Sequence, residues 1–175
     1  MAAGSLVQLA DGRTVEIEKI RAGNQVVTGD GILATVTAVS EGREPHPLIE
    51  VEAENGALLR MTRTHPVPTV AGLSMAQDLV VGDWLQGADG PHRIAAIRSG
   101  EKGAEVFNLV LEDANGQIPP QGMTFVSDGL VVGDYSMQGY LVQQKRQDRP
   151  VALGQNWRDL SPDLIASDPT DAMPK

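Results

Sequence analysis

The sequence contains no cysteine, few aromatic residues and no run of basic residues. Without cysteine the chain can form neither a disulfide nor a thiolate metal site, and the three histidines, His46, His65 and His92, do not have the spacing of zinc ligands. With only two Phe, two Trp and two Tyr, a core must consist mainly of Val, Leu, Ile and Ala. We therefore expect no metal and no cofactor.

The charge balance argues against polyanionic partners. The formal net charge is −9, so the chain has no basic face to neutralise nucleic-acid phosphates or to attract it to an anionic membrane. No apolar stretch reaches the ~20 residues of a membrane span, and the amino terminus lacks the basic and apolar regions of a signal peptide. We expect neither a nucleic-acid nor a membrane partner. The sequence leaves the compartment unknown, and the cytoplasm is only the default assignment.

Short alternating segments separated by turn residues predict an all-β domain over residues 1–142. Leu6 to Leu9 alternates and ends near Asp11-Gly12, and Leu48 to Ala53 alternates and reaches Asn55-Gly56; both dipeptides are typical of hairpin turns. Residues 72–79 could hold one short helical turn, and no segment before residue 135 sustains a 3.6-residue period. Hydrophobic residues make up 41% of the chain, which suffices for one core.

The remaining residues, 143–175, predict a poorly structured C-terminal tail or extension. Residues 135–142 could extend as a strand, but residues 143–150 are polar and the end of the chain contains three prolines among acidic residues. Such a composition buries too little apolar surface to fold alone. Trp157-Arg158-Asp159-Leu160 is the candidate anchor of the tail.

An internal repeat is visible in the domain. Residues 18–26 align with residues 77–85, an offset of 59, and residues 51–56 align with residues 111–116, an offset of 60. Two matched blocks at nearly the same offset predict two similar halves related by a pseudo-two-fold axis. A functional site is expected where the halves meet, because residues distant in sequence converge there.

Thr62 and His65 follow a strand-like run and precede Pro66 and Pro68, which places the pair at a strand end or turn. A single histidine in a loop is more often a surface or packing residue than a catalytic one. The pair alone therefore does not establish a reaction.

The ordered set of motifs resembles the Hint domain of inteins, bacterial intein-like proteins and Hedgehog autoprocessing domains. The resemblance covers about residues 1–134 and implies a horseshoe-like, pseudo-two-fold symmetric all-β fold. The motifs that carry it are Gly4-Ser5-Leu6-Val7, Asp11-Gly12, Val15-x-Ile17-x-x-Ile20-x-x-Gly23-x-x-Val26, Thr62-x-x-His65-Pro66, Leu79-x-x-Gly82-Asp83-x-Leu85, Val106 to Leu111, and Thr124 to Asp134.

The resemblance implies self-processing on flanking segments of the chain's own precursor. In such domains a first-residue Cys or Ser attacks the preceding carbonyl and converts the peptide bond into a thioester or ester. The family's threonine and histidine map to Thr62, which would hold the scissile carbonyl or orient the imidazole, and His65, which would protonate the departing nitrogen. The alternative for Thr62 is a hydroxyl that satisfies local backbone.

Four positions depart from the family's pattern. The nucleophile position falls on Met1, or in another alignment on Ala2, and neither side chain has a proton to lose. Gly133-Asp134 stands where inteins carry His-Asn, whose Asn cyclises and cleaves the chain. Asn108 stands where many members have an acid that assists proton transfer, and an amide cannot accept a proton at neutral pH. Asn108 could be a site residue or simply a polar residue that faces a neighbouring strand.

Two hypotheses follow from these matches and departures. The first is a self-processing domain that performs an acyl shift at its N-terminal junction and lacks the nucleophile in this chain, either because Met1 replaces the natural first residue or because the nucleophile was lost. The second is a degenerate, non-catalytic Hint-like β-module that serves interaction or structural support. Whether the chain is an enzyme stays open at this point.

Overall fold

The computed structural model describes residues 1–148. Strands dominate this part of the chain, which also contains two 3-10 turns, Ile17–Lys19 and Ala76–Asp78, and one helix. The elements are β1 (Leu6–Gln8), β2 (Thr14–Glu16), β3 (Gln25–Val27), β4 (Leu33–Arg43), β5 (Pro47–Ala53), β6 (Leu58–Met61), β7 (Pro66–Thr69), β8 (Gly72–Met75), β9 (Trp84–Gly87), β10 (Gly90–Lys102), β11 (Glu105–Glu112), β12 (Thr124–Ser127), β13 (Leu130–Gly133) and α1 (Tyr135–Gln147).

The strands form two antiparallel sheets. The larger has the order β2-β1-β12-β13-β9-β10-β5-β6, with β7 joined to β9 and β8 joined to β7. The smaller has the order β11-β4-β3. Residues Met1–Val142 form one compact unit, and the all-β class expected from the alternating pattern is confirmed. Among residues 1–148, no helix has the length and apolar character needed to cross a membrane.

The internal repeat is a structural repeat. The two 3-10 turns occupy matching positions. After each turn a main-chain N–H donates to a side-chain oxygen three residues later: Arg21 N–H to Asn24 Oδ1 in the first half, and Val80 N–H to Asp83 Oδ2 in the second. The two long strands exchange partners, because β4 of the first half pairs with β11 of the second and β10 of the second pairs with β5 of the first. This exchange interlocks the halves.

The core draws on strands of both sheets and on both halves of the repeat. Aliphatic side chains dominate it, as the composition predicts, with Phe125 and Phe107 as its aromatic members and Met1 among its largest fully buried side chains. At roughly 1.5–3 kcal/mol for each large apolar side chain buried, these contacts are the main stabilising contribution to the fold. Residue 1 is therefore part of the core.

Pro66 and Pro68 do not exclude a strand. The preceding strand ends at Met61, but β7 begins at Pro66 and pairs with β8. The carbonyl of His65, the residue just before β7, accepts a hydrogen bond from the N–H of Ala76. Such bonds alternate along an antiparallel pair, so the main-chain groups of residues 67 and 69 face β8. The nitrogens of Pro66 and Pro68, which carry no hydrogen, point away from β8. The expectation of a turn at residues 62–65 holds, whereas the prolines form part of the next strand.

Residues 135–142 are helical, so the expected strand extension is wrong. The reason is local: the carboxylate of Asp134 accepts a hydrogen bond from the N–H of Met137 and thereby caps α1, and such a cap favours a helix over the extended form. Residues 143–147 belong to the same helix rather than to an unstructured tail. The candidate anchor at residues 157–160 lies outside the described residues.

Candidate functional site

Met1 occupies the centre of the candidate site. Its amino group donates a hydrogen bond of 2.7 Å to the carbonyl oxygen of Phe107, and the N–H of Phe107 donates one of 2.8 Å to the Met1 carbonyl. A bridge between Ala2 and Val106 extends this pairing. The first two residues thus lie alongside β11, and the main-chain nitrogen of residue 1 is buried.

Thr62 and His65 face this region from the turn between β6 and β7. The N–H of His65 donates a hydrogen bond of 3.1 Å to the carbonyl of Thr62, which closes the turn. His65 is 1% exposed. Within residues 1–148, neither Thr62 Oγ1 nor His65 Nε2 has a hydrogen-bond partner, although both atoms are buried. A buried polar atom without a partner costs about 1–3 kcal/mol, so these two atoms call for an explanation, and both residues line the cavity described next.

A cavity of about 170 Å³ brings three of the predicted site residues together with the first residue. Its wall also includes residues from β4 and α1 that the sequence did not indicate, and two residues of the β11 motif that were not predicted as site residues. The lining residues are Met1, Ser40, Glu41, Gly42, Thr62, His65, Val106, Phe107, Asn108, Tyr135 and Gln138.

Burial controls the electrostatics of the two basic groups. Burial lowers the pKa of the Met1 amino group from 8.0 to about 5. Burial also lowers the pKa of the His65 imidazole well below its usual 6.5, and the positive charge of the Met1 amino group lowers it further. Both residues line the same cavity. Because both pKa values are lowered, both groups are neutral at pH 7, and neutral imidazole can accept a proton.

Asn108 is held in one orientation at the edge of the cavity. Its Oδ1 accepts a hydrogen bond of 2.9 Å from the N–H of Leu109, and its Nδ2 donates one of 3.1 Å to Oε1 of Gln138. Gln138 Nε2 in turn donates 2.8 Å to Oγ1 of Thr64. Gln138 was missed because it lies beyond the last motif, where no sequence pattern indicated a site.

Gly133 and Asp134 do not line the cavity. Asp134 is fully buried and accepts three main-chain hydrogen bonds, from Met123 and Met137 on Oδ1 and from Leu111 on Oδ2. Burial nevertheless raises the pKa of this carboxyl above its usual value, against the opposing effect of these donors. Asp134, which the resemblance aligns with the C-terminal Asn of inteins, caps α1 in this structure.

The described part of the chain shows no group of three or more His, Asp and Glu side chains arranged to hold a metal ion. The groups that the site residues offer are main-chain amides, a hydroxyl and an imidazole. These groups can bind a peptide carbonyl, stabilise charge on its oxygen and move a proton to or from its nitrogen.

Comparisons by sequence and by structure give different results. No protein-family model and no curated protein matches the chain. Solved structures do match. The gp41-1 intein is 18% identical, with a TM-score of 0.63 over 75% of this chain and 94% of that one. A DnaB intein from Synechocystis is 18% identical, with a TM-score of 0.63 over 77% and 96%.

A third match is not named as an intein. The bacterial intein-like domain from Clostridium thermocellum is 22% identical and has a TM-score of 0.62 over 76% of this chain and 96% of that one. Each match spans nearly the whole of the known domain, so the likeness concerns the complete architecture. The chain has the Hint fold of inteins and bacterial intein-like domains.

Proposed function

We propose that this chain is a self-processing domain whose acyl-shift site lies at residue 1 and whose nucleophile is absent because residue 1 is methionine. The observation that carries the proposal is the buried His65 Nε2, which has no partner among residues 1–148 and belongs to a residue that lines the same cavity as Met1. In a chain with a preceding residue, that nitrogen would belong to the scissile peptide bond.

The proposed reaction needs a proton on the side chain of residue 1. A Cys or Ser there would give its proton to neutral His65, and its sulfur or oxygen would attack the preceding carbonyl carbon. The carbon–nitrogen bond would then break as His65 returns the proton to the nitrogen, leaving a thioester or ester. Water or an external thiol would cleave that bond and release the upstream segment. The Met1 thioether has no proton to give and cannot take this path.

Thr62 has a supporting role in this proposal. Its hydroxyl is a donor without an acceptor among the described residues, and it shares the cavity with His65 and Met1. A donor directed at the scissile carbonyl would stabilise the charge that develops on the oxygen.

One observation favours a non-catalytic β-module instead. The Met1 side chain is 1% exposed and packs in the main core cluster, so methionine at this position contributes to stability without any reaction. In this second hypothesis the site is a remnant, and the domain supports other parts of a larger protein.

Restoring the nucleophile separates the two hypotheses. The full chain carrying Met1→Cys, fused behind a reporter domain, is incubated with and without dithiothreitol, and intact mass is followed over hours. We expect cleavage at the junction that the thiol accelerates. His65→Ala should slow it by about 10²- to 10⁴-fold, as for the loss of a general acid–base group, whereas His46→Ala, at an exposed histidine, should not.

Thr62→Val provides the second arm of this experiment. Valine has nearly the shape of threonine and lacks the hydroxyl, so the fold should keep its stability while the cleavage rate falls. Circular dichroism confirms that each variant is folded. An intact product from folded Met1→Cys protein would overturn the proposal and favour the non-catalytic module.

A further inference from the structure

Helix α1 supplies part of the wall of the cavity, although it follows the last motif of the resemblance. Tyr135 and Gln138 line the cavity together with Met1, His65 and Asn108. A segment that merely followed a finished domain would contribute no side chain to its site. The first turn of α1 therefore belongs to the architecture of the site.

Gln138 joins two parts of the site that are far apart in sequence. Its Oε1 accepts the hydrogen bond from Asn108 on β11, and its Nε2 donates the one to Thr64. Thr64 lies within the turn that carries Thr62 and His65. One amide group thus connects the strand that pairs with Met1 to the turn that holds the imidazole.

The position of Gln138 is itself fixed by Asp134. The N–H of Gln138 donates 3.0 Å to the Asp134 carbonyl, and the Asp134 carboxylate anchors the start of α1 through Met137 at 2.8 Å and Met123 at 3.1 Å. Because Asp134 is fully buried, this end of the helix cannot shift without breaking several main-chain hydrogen bonds. A fixed helix end gives Gln138 a fixed place.

We propose that Gln138 is a positioning residue for the acyl-shift site, because it holds Asn108 and the Thr62–His65 turn in fixed positions relative to residue 1. The inference rests on the proposed function for the reaction that it serves. The amide of Gln138 suits both neighbours, because one end accepts from Asn108 while the other donates to Thr64. Glutamate would keep the acceptor for Asn108, but its contact with Thr64 would have to reverse, with the Thr64 hydroxyl as donor; methionine would keep the length but lose both hydrogen bonds.

The test compares Gln138→Met, Gln138→Glu and the control Gln143→Ala in the Met1→Cys fusion. Gln143 is exposed on the same helix. We expect thiol-dependent cleavage to slow by about tenfold to a hundredfold in Gln138→Met, as for a reacting group displaced by a fraction of an ångström to about 1 Å. Gln138→Glu should lie between Gln138→Met and the parent, and Gln143→Ala should match the parent.

A second readout does not depend on cleavage. In the unfused chain with Met1, NMR follows the titration of the His65 imidazole and the side-chain amide signal of Asn108. Loosening α1 should admit water to the cavity and raise the His65 pKa toward 6.5 in Gln138→Met but not in Gln143→Ala. Glu41, Tyr135 and the Met1 amino group are the other titratable groups on the cavity wall, so their titrations are followed in parallel.

The outcomes separate this inference from the proposed function. If the Met1→Cys parent does not cleave, the proposed function fails, and the NMR comparison alone decides the positioning role. If Gln138→Met is folded and neither the cleavage rate nor the His65 and Asn108 signals change, the positioning role is overturned. Should Gln138→Met not fold, Gln138→Glu replaces it in both measurements.

Discussion

Met1 and Phe107 exchange two main-chain hydrogen bonds across 106 positions of sequence. The pair places the first residue of the chain against β11, inside the core and on the wall of the cavity that His65 also lines. The consequence is electrostatic as well as geometric, because an amino group and an imidazole are both buried where water cannot solvate a charge.

The stability of the chain should therefore decrease as the pH falls from 8 to 5. The pKa of the Met1 amino group is about 5 in the folded state and 8.0 in an unfolded chain, so between these values the unfolded state binds the additional proton. Three pKa units correspond to on the order of 4 kcal/mol of unfolding free energy. His65 adds a loss in the same direction below its usual 6.5, because its folded-state pKa is also lowered. Urea denaturation at a series of pH values measures the slope.

Acetylation of the Met1 amino group is the matched control for this slope. The acetylated nitrogen cannot titrate but still carries an N–H for the Phe107 carbonyl. We expect the acetylated protein to lose the pH dependence between 8 and 6.5 and to keep the part below 6.5 that comes from His65. If the unfolding free energy of the free and acetylated proteins changed equally with pH between 8 and 6.5, the buried amino group would not be the cause of the pH dependence.

Asp134 should contribute to stability as a helix cap. Alanine at this position removes the acceptor for Met137, Met123 and Leu111, and the loss of a cap costs about 0.5–2 kcal/mol. Asparagine keeps one acceptor oxygen but turns an N–H₂ group toward a main-chain donor. We expect the unfolding free energy to decrease in the order parent, Asp134→Asn, Asp134→Ala, as measured by urea denaturation with helicity followed by circular dichroism.

The same asparagine variant should also remain uncleaved. The resemblance assigns C-terminal cleavage to an Asn at this position, but here the side chain is engaged as a cap and the carbonyl accepts the N–H of Gln138. Cyclisation would have to break both interactions. A fragment ending at residue 134 in intact-mass spectra of Asp134→Asn would show that the cap does not restrain the side chain.

Much of the fold was predictable because its determinants are local or repeated. The Asp11-Gly12 and Asn55-Gly56 turns and the alternating strands act over short stretches. The 59-residue offset is a repeat of short motifs, and it correctly indicated two matching halves. The Thr62–His65 turn was predictable for the same reason. The helical state of residues 135–147 was not, because it depends on Asp134 being buried against Met123 and Leu111, which are adjacent only after folding.

The partners within the site depend on tertiary structure in the same way. Nothing in the sequence around Gln138 indicates that it meets Asn108 and Thr64, since the three residues lie on separate elements. The pairing of Ser40 with Asn108 depends on the exchange of long strands between halves. The sequence could indicate which residues are chemically competent, but their relative positions come from the strand exchange and the capped helix.

Gly133 should tolerate no side chain, in contrast to Gly139 on the neighbouring helix. A Cβ atom at Gly133 would lie 2.5 Å from Met137 Sδ and 2.5 Å from Pro66 Cγ, whereas one at Gly139 would meet nothing within 4 Å. The methionine side chain can move, but Pro66 is a buried strand residue directly after His65. We expect Gly133→Ala to lose about 1–3 kcal/mol of unfolding free energy through overpacking.

Gly139→Ala is the control, and it should gain about 0.5–1 kcal/mol because alanine favours an exposed helix position. Thermal denaturation of both variants measures the contrast. In the Met1→Cys fusion, Gly133→Ala should also slow cleavage, since any displacement of Pro66 moves His65 with it, whereas Gly139→Ala should leave the rate unchanged. Equal stabilities of the two variants would show that Pro66 and Met137 can move aside, and would contradict the tight packing at Gly133.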